Sequence, residues 1–156
     1  MPMIDDKETD ELDKVLGQMK PDQLDTYYRD NRPYMADDKK AFYYYMKNVL
    51  DQKRIKLKDV YSFAGYSESY GSKILTMEKH TKNRDVILRL CLAGRLNLDE
   101  LGRALKLYGF SELYAKNKRD ACIIVAVNNR IYDLYDIDDM LRKQKLEPLI
   151  NPSDDE

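Results

Sequence analysis

The side chains best suited to holding a ligand gather in one short stretch. Lys79, His80, Lys82 and Arg84 fall within six residues, at the start of a segment with helical periodicity. Cations beside a helix amino terminus, where unpaired backbone N–H groups already favour negative charge, suit phosphate oxygens. Lys53, Arg54, Lys56 and Lys58 form a second positive group upstream. Nothing comparable points to bond-making chemistry. With one histidine and two cysteines in the chain, a thiolate–imidazole zinc site cannot be assembled. Cys91 and Cys122 lie in apolar stretches and read as small core residues. The sequence has no glycine-rich phosphate loop, no GxSxG and no HExxH, so neither an enzyme nor a cofactor is expected.

The formal charge of −1 conceals an asymmetry. Residues 1–38 carry five basic and 11 acidic side chains, and residues 96–156 carry nine and 12. Between them, residues 39–95 carry 13 basic and five acidic, an excess of eight. A concentrated basic segment in an otherwise acidic chain is the electrostatic footprint of nucleic-acid binding; dispersed solvation of helix faces is the plainer alternative. The longest apolar run, Ala121 to Val127, is far short of a membrane span, and the acidic amino terminus is unlike a secretory signal. A cytoplasmic protein without membrane association is expected.

The elements that must position these residues read as helices throughout, because apolar residues recur at three and four. Short helices are expected around Leu12–Gly17 and after Pro21, then a longer one from Asp37 or Asp38 to about Lys53. Leu57 to Ala64 stops at Gly65, and Ser67 caps Glu68 to Met77. Arg84 begins a helix through Ala93, and Asn97 caps Leu98 to Tyr108. Residues 83–95 then recur as 118–130, with Arg84/Arg119, Asp85/Asp120 and Arg95/Arg130 identical. The register shifts by one beyond that, matching Leu98 to Leu134 and Leu105 to Leu141, so a helix pair is duplicated. Two copies of Arg-Asp at equivalent helix starts suggest architecture, which sets Arg84 behind Lys73, Lys79 and Lys82 as a phosphate ligand. Among the 13 tyrosines, Tyr108 and Tyr114 read as packing residues.

Leu57 to Leu75 has the layout of a helix-turn-helix: inward Val60, turn glycine Gly65, then Ser67 and the second-helix anchor Ile74. This resembles the lambda-repressor-like helix-turn-helix domains of bacterial regulators. Tyr70-Gly-Ser-Lys, Glu78-Lys-His-Thr, Arg84-Asp-Val-Ile-Leu-Arg-Leu-Cys, Ala104-Leu-Lys-Leu-Tyr-Gly109 and Arg119-Asp-Ala are together similar to an uncharacterised family of Firmicutes helix-turn-helix-type proteins. The resemblance implies an all-α fold: a five-helix lambda-repressor-like core extended by short N-terminal helices and a duplicated C-terminal helical hairpin. The expected divisions are an acidic extension (1–37), the helix-turn-helix domain (38–110), the hairpin packed on the same core (111–150) and a frayed tail (151–156).

It also implies a transcription regulator binding double-stranded DNA, with a homodimer matching a two-fold operator. The base-reading candidates are Ser67, Glu68, Ser69, Tyr70, Ser72 and Lys73; the phosphate-contact candidates are Lys56, Lys58, Lys79, His80, Lys82 and Arg84. Two positions depart from the regulator pattern. Tyr61 stands where alanine is usual, which demands a wider crossing or a partly exposed ring. Gly71 replaces the usual branched residue, which implies a shifted helix or a close approach to its backbone. The alternative reading is a protein-interaction module on a scaffold that no longer binds DNA. An apolar rather than basic surface over residues 67–84 would mark it.

Overall fold

The computed structural model describes residues 9–32, 35 and 39–150. Among these, every regular element is helical: α1 (Thr9–Gly17), a 3-10 turn (Pro21–Gln23), α2 (Leu24–Asp30), α3 (Ala41–Lys53), α4 (Leu57–Ala64), α5 (Glu68–Leu75), α6 (Arg84–Ala93), α7 (Leu98–Tyr108), α8 (Lys118–Asn128) and α9 (Leu134–Lys143). The all-α expectation therefore holds. No described helix is long and apolar enough to cross a membrane. The expected caps at Asp37 or Asp38 and the expected frayed ends fall outside the described residues; α3 begins at Ala41, later than the sequence suggested.

The helix starts follow from side chains that satisfy otherwise unpaired N–H groups. Ser67 Oγ accepts from Tyr70 N at 3.1 Å, and Asn83 and Asn117 accept from Asp85 N and Asp120 N. Asn97 and Glu100 form a reciprocal capping box. Asp133 accepts from both Tyr135 N and Asp136 N.

The helix ends reveal a repeat that the sequence comparison left partly hidden. Six helices, α3, α4, α6, α7, α8 and α9, each end in a left-handed residue: Arg54, Gly65, Arg95, Gly109, Arg130 and Lys145. In every case the next residue is apolar or aromatic, and its N–H reaches back five positions, as in Ile55 to Leu50 O (2.9 Å), Leu96 to Cys91 O (3.2 Å) and Ile131 to Ala126 O (2.8 Å). This is the Schellman ending with its hydrophobic plug. Arg54-Ile55, Arg95-Leu96 and Arg130-Ile131 are thus the same turn, so α3–α4 carries the turn chemistry of α6–α7 and α8–α9. Identity at Arg95 and Arg130 was legible; the third instance, embedded in a different flanking sequence, was not.

One apolar cluster joins these helices, from Phe42 on α3 through Leu88 and Leu92 on α6 to Ile137 and Leu141 on α9. α6 lies at its centre, with all eight residues from Val86 to Ala93 buried and α4 as its closest neighbour. The duplicated Arg-Asp pairs lock the hairpins crosswise. Arg84 meets Asp120 in two bonds of 2.9 and 3.1 Å and donates to the carbonyls of Ser111 and Glu112. Arg119 meets Asp85 at 2.7 and 2.8 Å and donates to Glu147 and Pro148 O, the equivalents 36 positions later. The bonds to Asp85 hold the Arg119 guanidinium above its ordinary pKa against the opposing effect of burial.

Two core expectations need correction. Tyr114 is exposed at the surface, because the loop before α8 turns its ring outward, whereas Tyr108 is buried as expected. Cys91 is fully buried and its thiol is pushed well above the usual range by desolvation, but Cys122 is only half-buried, packed against the edge of the core.

Candidate nucleic-acid interface

α4, the turn at Gly65 and Tyr66, α5 and the loop to α6 carry the residues singled out from sequence. Gly65 takes a φ of +81°, as the tight turn requires. The turn is held from below by Arg89, whose side chain is 1% exposed. Its Nε and Nη2 donate to Ala64 O at 2.9 and 2.7 Å, and its guanidinium lies 4.1 Å from the centre of the Tyr66 ring. The negative carbonyl end of α4 and the ring face therefore receive a buried positive charge. Nη1 has no hydrogen-bond partner. A Cβ at position 65 would lie 2.8 Å from Nη2, a second reason for glycine there.

The two departures, Tyr61 and Gly71, turn out to be one arrangement. Tyr61 is buried, not partly exposed, and a Cβ at position 71 would fall 2.5 Å from its Cδ1. The ring occupies the space that a larger residue on α5 would fill. Burial raises the Tyr61 phenol above its ordinary pKa, opposed by a hydrogen bond with the Ser72 side chain.

This packing divides the six base-reading candidates. Tyr70 is buried against Tyr66, with ring centres 5.1 Å apart, and Ser72 is half-buried and engaged with Tyr61. Neither belongs to an outward-facing surface, because α5 turns positions 70, 71, 74 and 75 to the core. Ser67, Glu68, Ser69 and Lys73 remain exposed, with the Ser67 hydroxyl serving as the helix cap.

Of the phosphate-contact candidates, Lys56 and Lys58 at the start of α4 and Lys79, His80 and Lys82 in the loop are all exposed. Arg84 is not available: its guanidinium is fully engaged by Asp120 and two backbone carbonyls. The repeated dipeptide had pointed to pairing, but with the partner from the other copy.

The loop is held firmly in shape. α5 ends at Leu75, two residues earlier than expected, and Met77 adopts a φ of +65°. Lys79 N then donates to Lys73 O at 3.0 Å, and Thr81 N to the Tyr108 hydroxyl at 2.9 Å. The His80 ring stacks on Tyr108, centres 4.7 Å apart, and Lys79 Nζ sits 5.0 Å from the Tyr70 ring centre. Tyr108 in turn packs edge-on against Phe42 in the core. Sequence reasoning treated Tyr108 as packing alone and missed its second task, anchoring the basic loop. Its only sequence signal is a phenol at the last position of an amphipathic helix.

Phe63 on α4 and Tyr135 on α9 (68% and 72% exposed) flank a groove of about 260 Å³ lined also by Leu92, Ala93, Arg95 and Leu134. No metal-binding group of side chains occurs among the described residues. No protein-family model matches the chain, and neither a curated protein nor a solved structure does.

Proposed function

We propose that this chain is a cytoplasmic, non-enzymatic DNA-binding regulator, built on a lambda-repressor-like arrangement in which α3 to α7 are the five core helices and α5 faces the major groove. The observation that carries the reading is the surface of residues 56–82. Five of the six phosphate candidates, Lys56, Lys58, Lys79, His80 and Lys82, face solvent on elements flanking α5, and the loop bearing three of them is fixed by Tyr108. A loop already held in place loses little backbone freedom on meeting a phosphate backbone. Over residues 67–84, the stretch where an apolar patch would mark a protein-docking surface, no large hydrophobic side chain is exposed; Phe63 on α4 is the exposed ring nearest to it in sequence.

The reading surface that remains on α5 is small. Glu68 is suited to accept from a cytosine amino group, and Ser67, Ser69 and Lys73 to contact phosphates or base edges. With no arginine on this face of α5, backbone contacts supply most of the affinity. The second reading, a protein-interaction module, draws on the groove between Phe63 and Tyr135.

Capture of genomic DNA fragments by the purified protein at moderate salt tests the proposal. Enrichment of a few sites is expected, and replacing Lys73, Lys79 and Lys82 together by glutamine abolishes it. For random duplex, the log–log salt slope falls by about 0.9 for each phosphate contact removed. Absence of any duplex retention at low salt would leave the interaction-module reading in place.

A further inference from the structure

Two consecutive residues of the basic loop each lie on an aromatic ring, and the rings come from different helices. Lys79 Nζ sits over Tyr70 of α5, and the His80 ring stacks on Tyr108 of α7. Both tyrosines are buried, whereas Lys79 and His80 are exposed. Each ring is braced in turn. Tyr108 meets Phe42 edge-on and Phe110 in a stack, with centres 4.9 and 5.4 Å away. Tyr70 packs against Tyr66, whose ring also carries the buried Arg89 guanidinium. Arg89, Tyr66, Tyr70 and Lys79 therefore form one run of contacts from the core to the loop, with a cation at each end of a tyrosine pair.

We propose, resting on the DNA-binding reading, that Tyr70 is a positioning residue whose ring presents the Lys79 ammonium to a backbone phosphate, as Tyr108 presents His80. A ring face attracts an ammonium through its quadrupole. It covers one side of the group and leaves the N–H donors on the other side open to phosphate oxygens. Arg84 shows the contrasting arrangement: Asp120 holds it firmly, and the carboxylate cancels its charge. An aromatic seat holds the side chain without neutralising it. A lysine side chain ordinarily gives up much rotamer freedom on pairing, and one already lying on a ring gives up less. Tyr70 thereby leaves the set of base readers and acts through Lys79, on a part of the duplex that is the same in every sequence.

Titration of the full chain with random duplex DNA at moderate salt tests this. Tyr70→Leu removes the ring and should weaken binding about two- to fivefold, the range of one exposed cation–ring contact. Tyr70→Phe keeps the ring and should bind as the parent does. In a Lys79→Gln background, Tyr70→Leu should change affinity by less than about 1.5-fold, because the ring then has nothing to hold. The genomic fragments enriched should be the same for parent and variants, since phosphate contacts carry no sequence information. Without DNA, proton NMR should show the Lys79 ε-methylene resonances shifted upfield by the ring in the parent and in Tyr70→Phe, and unshifted in Tyr70→Leu. The parent spectrum needs no variant, so the test survives if leucine is not tolerated at this buried position. Unshifted Lys79 resonances in the parent, equal losses from Tyr70→Phe and Tyr70→Leu, additivity of Tyr70→Leu with Lys79→Gln, or a changed set of enriched fragments would each overturn the inference with duplex binding intact. A parent that binds no duplex would overturn the DNA-binding reading and this inference with it.

Discussion

Replacing Arg84 by alanine tests the crossed clasp between the repeated hairpins. The guanidinium makes four hydrogen bonds, two to Asp120 and two to the carbonyls of Ser111 and Glu112. Its loss strands Asp120, whose side chain is 7% exposed, with only its bond from Tyr114 N. Removing one partner of a fully buried ion pair costs about 3–5 kcal/mol. Arg84 retains 26% exposure, so water and salt screen part of the interaction, and about 2–3 kcal/mol is the appropriate expectation. For a chain of 156 residues this corresponds to a melting temperature about 5–10 °C lower. Urea unfolding of Arg84→Ala, Asp120→Ala and the double variant should give a coupling energy of about 1–3 kcal/mol. Arg84→Lys should recover only part of the loss, because an ammonium cannot span acceptors arranged around a planar fork. The exposed pair Arg142–Asp139 is the control, and Arg142→Ala should stay within about 0.5 kcal/mol of the parent. If Arg84→Ala costs no more than Arg142→Ala, or if the two clasp substitutions simply add, the clasp is not what joins the hairpins.

Three further outcomes are expected. Gly71→Ala should destabilise by about 1–3 kcal/mol in urea titration, because its methyl meets the Tyr61 ring. Combining it with Tyr61→Ala should cost less than the sum of the two, and strict additivity would separate the residues. Arg130→Gly relieves a left-handed backbone at an exposed position and should stabilise by about 0.5–1 kcal/mol; loss of stability would refute that account of the turn. Thiol labelling at pH 8 should modify Cys122 slowly and leave Cys91 untouched until unfolding, since burial raises both thiols and encloses Cys91 completely. Rapid labelling of two thiols in the native protein would contradict the packing of α6.

The elements were legible because their information is local. Ser67 and Asn97 announce their helices by the oxygen each offers to the following N–H groups, and Gly65 announces a turn that needs a left-handed residue. The candidate site was only half legible. Periodicity from Ile74 already turns Tyr70 inward, which the search for base-reading residues passed over, but it does not say that Ser72 is engaged, because that depends on the hydroxyl supplied by Tyr61 from another helix. Tyr61 and Gly71 each looked like a defect when read alone, and only their proximity shows the exchange of volume. Arg84 was correctly suspected of pairing from its repetition, but nothing in a linear reading joins it to Asp120 rather than Asp85. The left-handed arginines escaped notice for a related reason: arginine carries no turn signal, and the apolar plug after it is an ordinary core residue.

The six left-handed helix endings have a consequence for how the chain reaches its structure. Each is specified by a bond between residues five apart in sequence, so the direction taken after each helix is settled before distant segments meet. Loop closure then spans only a hairpin at a time, and the entropy lost in bringing partners together stays small. Folding should start in any of the three hairpins and spread to its neighbours, at the fast rates typical of low contact order. The long-range Arg–Asp bonds then form late, acting on the rate of unfolding more than on the rate of folding.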